Sequence, residues 1–156
     1  KAYATLLRKG KSASVAIIKG GSQLGYMDNL IPLEGINIEL ILKGMSDSIN
    51  KDYGTVKKIS FNGSDHNIFD LPTAKVWAKT GTAQTGDISR DLNNDGIKER
   101  YSGLTHAWTV ALAGKRDSVR PTHVVVVLVE HGGSGGRVAG PIASEIIRYL
   151  NNGGWL

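Results

Sequence analysis

The feature that most constrains this chain is an unbroken apolar run, Val124 to Val129, which reads Val-Val-Val-Val-Leu-Val and ends against Glu130. Side chains branched at Cβ are stiff in a helix and sit well on a pleated surface. The run is also far short of the roughly 20 apolar residues that a membrane-crossing helix needs. It is therefore expected to be a strand, His123 to Glu130, buried on both faces. Such a strand needs neighbours, and two other stretches offer them. Ala107 to Ala113 follows His106-Ala107-Trp108, and Lys75 to Thr85 alternates with period two. The three are expected to form a meander.

Around them, the apolar spacing predicts helices. Ala2 to Leu7 reads as the end of a helix that stops near Gly10. Ile38, Ile41, Leu42, Met45 and Ile49 recur at three- and four-residue intervals, with Asn37, Glu39, Lys43 and Asp47 between them, as on an amphipathic helix. Pro141 stands where a third helix would start. Ile142, Ile146, Tyr149 and Leu150 are expected on its apolar face, and Asn151-Asn152-Gly153-Gly154 should end it. Ser14 to Ile18 reads as a short strand closed by Gly20-Gly21. Residues 50–73 are polar and turn-rich, with a tight turn at Asn62-Gly63-Ser64-Asp65. At 156 residues and 40% hydrophobic, the chain fits one domain with a real core. No internal repeat or domain boundary is visible. The first residues carry neither an initiator Met nor a signal-peptide pattern and read as helix interior, so the chain is expected to begin inside something larger.

Charge and cysteine usage narrow the function classes. A net charge of +5 would suit nucleic acid, but Lys9, Lys11, Lys57, Lys58, Arg116 and Arg120 are scattered through separate loops. Aromatic residues make up only 6% and form no stacking pattern beside them. The basic residues are expected to form a solvated face, with general attraction to anionic surfaces. Zero cysteines exclude disulfides and thiolate metal sites.

Five local patterns bear on chemistry. In Lys75 to Thr85, alternation places Lys79 and Gly81 on one face and Thr80 and Thr82 on the other. An ammonium, two hydroxyls and a main chain bared by glycine, on an edge strand with unpaired N–H groups, suit the grip of an extended, carboxylate-ended peptide. The stretch His131-Gly132-Gly133-Ser134-Gly135-Gly136 lies between strand and helix, like a phosphate-binding loop. Val138 and Pro141 break both nucleotide fingerprints, which leaves a flexible connection. Asp91, Asn93, Asp95 and Glu99 stand at positions 1, 3, 5 and 9 of a calcium-type loop, with Gly96 at the turn and the Ile97 carbonyl as a further ligand. Ser102 replaces the bidentate acid at position 12. The competing reading is an Asx-rich turn. Ser48-Ile49-Asn50-Lys51 satisfies both Ser-x-x-Lys and Ser-x-Asn, but one residue set cannot supply both motifs, so it is read as a coincidence on an ordinary helix. His66, His106, His123 and His131 show no metal-ligand spacing.

Lys79-Thr80-Gly81-Thr82-Ala83-Gln84 resembles the third active-site motif of penicillin-binding transpeptidases. The flanks extend the likeness over most of the chain. Ala2 to Leu6 resembles the helix that the family carries before this motif, and Gly44-Met45 with Tyr53-Gly54-Thr55 resembles the segment before its strand. His106-Ala107-Trp108 is similar to the next strand, and Val127 to Gly133 with Ala139 to Ala143 is similar to the last strand and helix. The Thr-Ala-Gln ending and the final Gly-Gly run are most similar to class B, elongation-type enzymes.

The resemblance implies an α+β fold: an antiparallel sheet flanked by helices, the C-terminal part of the serine β-lactamase and penicillin-binding transpeptidase fold, over residues 1–156. It implies a membrane-anchored D,D-transpeptidase acting on the periplasmic side, cross-linking peptidoglycan stem peptides and acylated by β-lactams. Its partners would be the rest of its own domain and the elongation machinery, not nucleic acid. By the same likeness Lys79 would serve proton transfer, Thr80 and Thr82 would hold the substrate carboxylate, Gly81 would clear the groove, and the Thr82 N–H would donate to the oxyanion. No cofactor is required, and calcium is optional. The family's Ser-x-x-Lys and Ser-x-Asn would lie before Lys1, and the Asp91 loop departs from the commonest members. The fragment alone is therefore expected to be inactive. The rivals are a non-catalytic, calcium-stabilised binding module and, within the family, a β-lactam-sensing receptor domain or a serine β-lactamase.

Overall fold

The computed structural model describes residues 1–12 and 30–156, so the strand expected at Ser14 to Ile18 and its Gly20-Gly21 closure lie outside the described residues. Contacts divide the chain into two compact units, Lys1–Lys43 and Gly44–Leu156.

In the first unit, helix α1 (Ala2–Leu7) is stopped at Gly10, whose N–H donates to the Thr5 carbonyl at 2.9 Å. Lys11 and Leu30 form an isolated antiparallel bridge, and Ile31 N–H donates to the Gly10 carbonyl. Helix α2 (Ile38–Asn50) begins where the Asn37 side chain accepts the Leu40 N–H at 3.0 Å, which satisfies one of the free donors of a first helical turn. The division between the units falls within this helix.

After the end of α2, the second unit forms a hairpin where the sequence predicts turns. Strands β1 (Lys58–Phe61) and β2 (Ser64–Asn67) pair antiparallel around Asn62 and Gly63, at φ of 50° and 76°. Two residues with positive φ make the mirror-image turn whose twist matches paired strands. Both strands are largely exposed and polar, so no hydrophobic alternation marks them.

Strand β3 (Ala74–Gln84) follows, then a second hairpin, β4 (Ile88–Arg90) with β5 (Glu99–Tyr101), which carries the Asp91 loop at its tip. Strands β6 (Thr105–Lys115) and β7 (His123–Val129) complete the expected meander, in the order β3-β6-β7 and antiparallel throughout. The fold is α+β.

Every second residue of the sheet faces a core capped by helix α3 (Gly140–Asn152) and the π-helical turn before it, Gly135–Ala139. From β6 this row is Ala107, Thr109, Ala111 and Ala113, all fully buried, and Ala74, Val76 and Ala78 extend it on β3. A floor of alanines lets the helical layer approach the sheet closely. Ala143 and Ile147 of α3 are fully buried and join the same core, as do Val56 and Ile68.

Three expectations are corrected here. The valine run is buried on one face only: Val125 and Val127 are inside, whereas Val126 is 51% and Leu128 44% exposed. The strand lies at the edge of the three-stranded sheet and only one of its faces meets the helical layer, so a continuous apolar run is no proof of two-sided burial. On α3 the buried stripe is Ala143, Ile147 and, in part, Leu150, while Ile142, Ile146 and Tyr149 are exposed. Small residues set the contact face because the alanine floor leaves little depth. The glycine-rich connection is not a loose linker but an ordered π-helical turn with Gly135 and Gly136 buried. Among the described residues, no helix is long and apolar enough to cross a membrane.

Candidate active site

Strand β3 changes character along its length. Ala74, Val76, Trp77 and Ala78 are buried, whereas Lys79, Thr82, Ala83 and Gln84 are exposed and Thr80 and Gly81 are partly so. One long edge pairs with β6, from Ala74 opposite Lys115 to Gln84 opposite Thr105, and no strand pairs with the other edge among the described residues.

The side chains that meet this free edge fix which backbone groups face it. Ser48 of α2 donates its hydroxyl to the Ala78 carbonyl at 2.7 Å or to the Met45 carbonyl at 2.9 Å. The Lys79 ammonium donates to the Thr80 carbonyl at 2.6 Å. In an antiparallel ladder the main-chain groups of alternate residues turn to the same side. Hence Ala78, Thr80 and Thr82 present their N–H and C=O groups to the open edge, and among the described residues no strand stands opposite the Thr82 N–H. Lys79 leaves the sheet on the other face, but its long stem brings the charge around to this edge. The sequence-derived set of Lys79, Thr80, Gly81 and Thr82 is thus held together by one stretch of strand.

Thr80 is anchored from behind. Its Oγ1 donates to Thr55 Oγ1 at 3.1 Å, and it stands opposite Thr109, whose buried hydroxyl donates to the Gly135 carbonyl at 2.9 Å. Thr109 carries no expectation from sequence, and Gly135 and Gly136 are expected there only as part of a flexible connection. The available signal was a lone hydroxyl in an otherwise alanine row, which marks a buried polar group that needs a partner. His106 sits opposite Ala83 and its Nδ1 accepts the His131 N–H at 3.0 Å, with the two rings 5.0 Å apart. His123 contacts Thr122, and His66 lies exposed on β2. A cavity of about 270 Å³ lies toward the other end of β3, lined in part by Asn50, Lys75 and Arg116. It does not include the Lys79 edge.

Ser48 is placed as a strut. Its hydroxyl serves main-chain carbonyls, its own carbonyl accepts the Val56 N–H at 3.1 Å, and Lys51 is exposed. The Asp91 loop is organised by its own hydrogen bonds. Asp91 carboxylate oxygens accept the N–H groups of Asp95 and Gly96, Asp95 Oδ1 accepts that of Ile97, and Asn93 Nδ2 donates to Asp95 Oδ2. Glu99 has one carboxylate oxygen buried without a partner. Among the described residues, no group of three or more His, Asp or Glu side chains is arranged to hold a metal ion.

Comparison with known proteins decides the family. The sequence model described as the penicillin binding protein transpeptidase domain matches residues 1–148. The chain belongs to this family. A relative, the peptidoglycan D,D-transpeptidase MrdA of Haemophilus influenzae, is 31% identical over 93 residues, which is 58% of this chain and 14% of that protein. The match therefore spans well under two thirds of the relative's length. The open edge of β3 and the Thr109–Gly135 contact behind it both lie within the matched residues.

Proposed function

We propose that this chain forms one wall of the active site of a peptidoglycan D,D-transpeptidase, with Lys79 to Thr82 as the wall itself. The observation that carries this reading is the free edge of β3, where the Lys79 ammonium reaches the Thr80 carbonyl and the exposed Thr82 turns its N–H to the same edge, within a transpeptidase-family chain.

In this reading an extended stem peptide lies along the edge, Thr80 and Thr82 receive its terminal carboxylate, and Gly81 leaves room for its backbone. A serine attacks the D-Ala-D-Ala carbonyl, the terminal D-Ala leaves, and an amine from a neighbouring strand takes the acyl group from the serine ester. The Thr82 N–H donates to the oxyanion in both steps, an interaction whose loss typically costs about 3 kcal/mol of transition-state stabilisation. Lys79 supports the proton transfers and the positive field. Penicillin would acylate the same serine.

Ser48 is not assigned as that serine, because its hydroxyl is committed to the main chain at the base of the wall. The nucleophile and its base are assigned to another part of the transpeptidase domain, so residues 1–156 alone should be inactive. The parent enzyme is placed at the cytoplasmic membrane with this domain outside it, working with the wall-elongation machinery. The Asp91 loop is assigned no part in the reaction, and the chemistry needs no cofactor.

Calorimetric titration of the full-length protein with a D-Ala-D-Ala peptide and, separately, with calcium tests this assignment. Peptide heat that disappears in Thr82→Val supports the wall. Calcium heat without peptide heat would instead favour a calcium-stabilised binding module.

A further inference from the structure

The back of the Lys79 strand carries an inference beyond the residues that would touch substrate. Gly135 lies on the core face of the sheet, directly over the pair Gly81 and Trp108. A Cβ at position 135 would stand 2.3 Å from the Trp108 carbonyl oxygen, 2.5 Å from the Gly81 oxygen and 3.2 Å from the Gly81 nitrogen. The neighbouring glycine is as tight: a Cβ at 136 would stand 2.5 Å from the Thr55 carbonyl oxygen and 3.7 Å from Thr80 Cγ2. All the groups at the shortest distances are backbone, so they cannot swing aside as a flexible side chain would. The Thr109 hydroxyl, fully buried, fastens the turn by donating to the Gly135 carbonyl at 2.9 Å.

We propose that Gly135, fastened by Thr109, is a positioning residue for the proposed reaction: the π-helical turn seats against Gly81 and sets the depth of the substrate edge. This rests on the transpeptidase reading of that edge. A methyl at 135 must separate the layers by about 1 Å to reach ordinary contact. A displacement of that size at a reacting site can cost about 100-fold in rate. The side chains of Lys79 and Thr82 remain intact in such a variant; only their placement changes.

The test is the rate constant for acylation of the full-length protein by a fluorescent penicillin, measured well below each variant's Tm and normalised to the final extent of labelling. Destabilisation alone lowers the extent, whereas misplacement lowers the rate constant of molecules that do label. Gly135→Ala should slow acylation by about 10- to 100-fold with the final labelling preserved. Gly44→Ala, at a helical position where an added Cβ meets no other part of the chain within 4 Å among the described residues, should leave it unchanged. Because Gly135→Ala can fail to fold, Thr109→Val and Thr109→Ser form a second pair. Valine removes the hydroxyl at nearly constant shape and should slow acylation, and serine should restore it. A normal rate in folded Gly135→Ala, or equal rates in Thr109→Val and Thr109→Ser, would overturn the positioning role. If the unaltered protein is folded and never labels, the transpeptidase reading itself fails.

Discussion

The two halves of β3 are one strand in one ladder with β6, yet they are built on opposite rules. From Ala74 to Ala78 the residues are mostly buried, and the free edge is tied to α2 through the Ser48 hydroxyl. From Lys79 to Gln84 they become exposed, and no strand pairs with the edge among the described residues. The buried half fixes position through packing, and the open half offers groups to a ligand. Substitutions in the first should therefore change stability more than chemistry, and those in the second should do the reverse.

The sharpest break of this contrast would come from Lys79→Ala in the full-length protein. The variant should lose about 100-fold or more in penicillin acylation, the scale of a lost proton-transfer group, with a stability change within about 0.5 kcal/mol, as for exposed positions. Denaturant unfolding beside the acylation assay separates the two effects. The mirror experiment is Ala78→Leu, at a fully buried position opposite Ala111. Overpacking there should cost about 1–3 kcal/mol in chemical unfolding. A stable Ala78→Leu protein would show that the layer behind the strand is not close-packed.

Between them stands Ser48→Ala, which should cost about 1 kcal/mol through the lost bond to the strand. Acylation should stay within severalfold of normal. Complete loss of acylation at unchanged stability would make Ser48 the nucleophile and erase the distinction between strut and site.

The smallest effect is expected away from β3, in the β1–β2 hairpin. The Ser60 hydroxyl donates to Asp65 and holds its carboxyl below the usual carboxylate range, with Lys58 adding to the shift. A lowered folded-state pKa gives stabilisation that is present above the unfolded value, about 4, and is lost as pH falls through the folded value. Hairpin amides should therefore exchange faster as pH drops below about 4, after correction for intrinsic rates, and Ser60→Ala should weaken that dependence. Both groups are exposed, so the change should be slight.

Much of this division was legible in the sequence because it is written in short-range chemistry. Alternation placed β3, the unbroken valine run placed β7, the stretch after His106-Ala107-Trp108 placed β6, and Lys-Thr-Gly-Thr marked the open half by its hydroxyls and its glycine. What escaped depends on partners distant in the chain. Val126 and Leu128 are apolar yet exposed because β7 lies at the sheet's edge and only one of its faces meets the helical layer, which no local pattern reveals. The exposed stripe of α3 was chosen by residue size, whereas the alanine floor selects Ala143 and Ile147. The β1–β2 hairpin carries its signal in Asn62 and Gly63 rather than in its strands. Gly135 looked like linker because its meaning is the backbone of Gly81, more than fifty residues earlier.

The central claim, that these residues form a transpeptidase substrate wall whose serine comes from elsewhere in the domain, is tested most directly by intact-mass measurement and peptide mapping after incubation with a penicillin. The full-length protein should gain one penicilloyl adduct on a serine outside residues 1–156, and residues 1–156 alone should gain none. An adduct mapped to Ser48, or a folded full-length protein that gains no adduct, would contradict it.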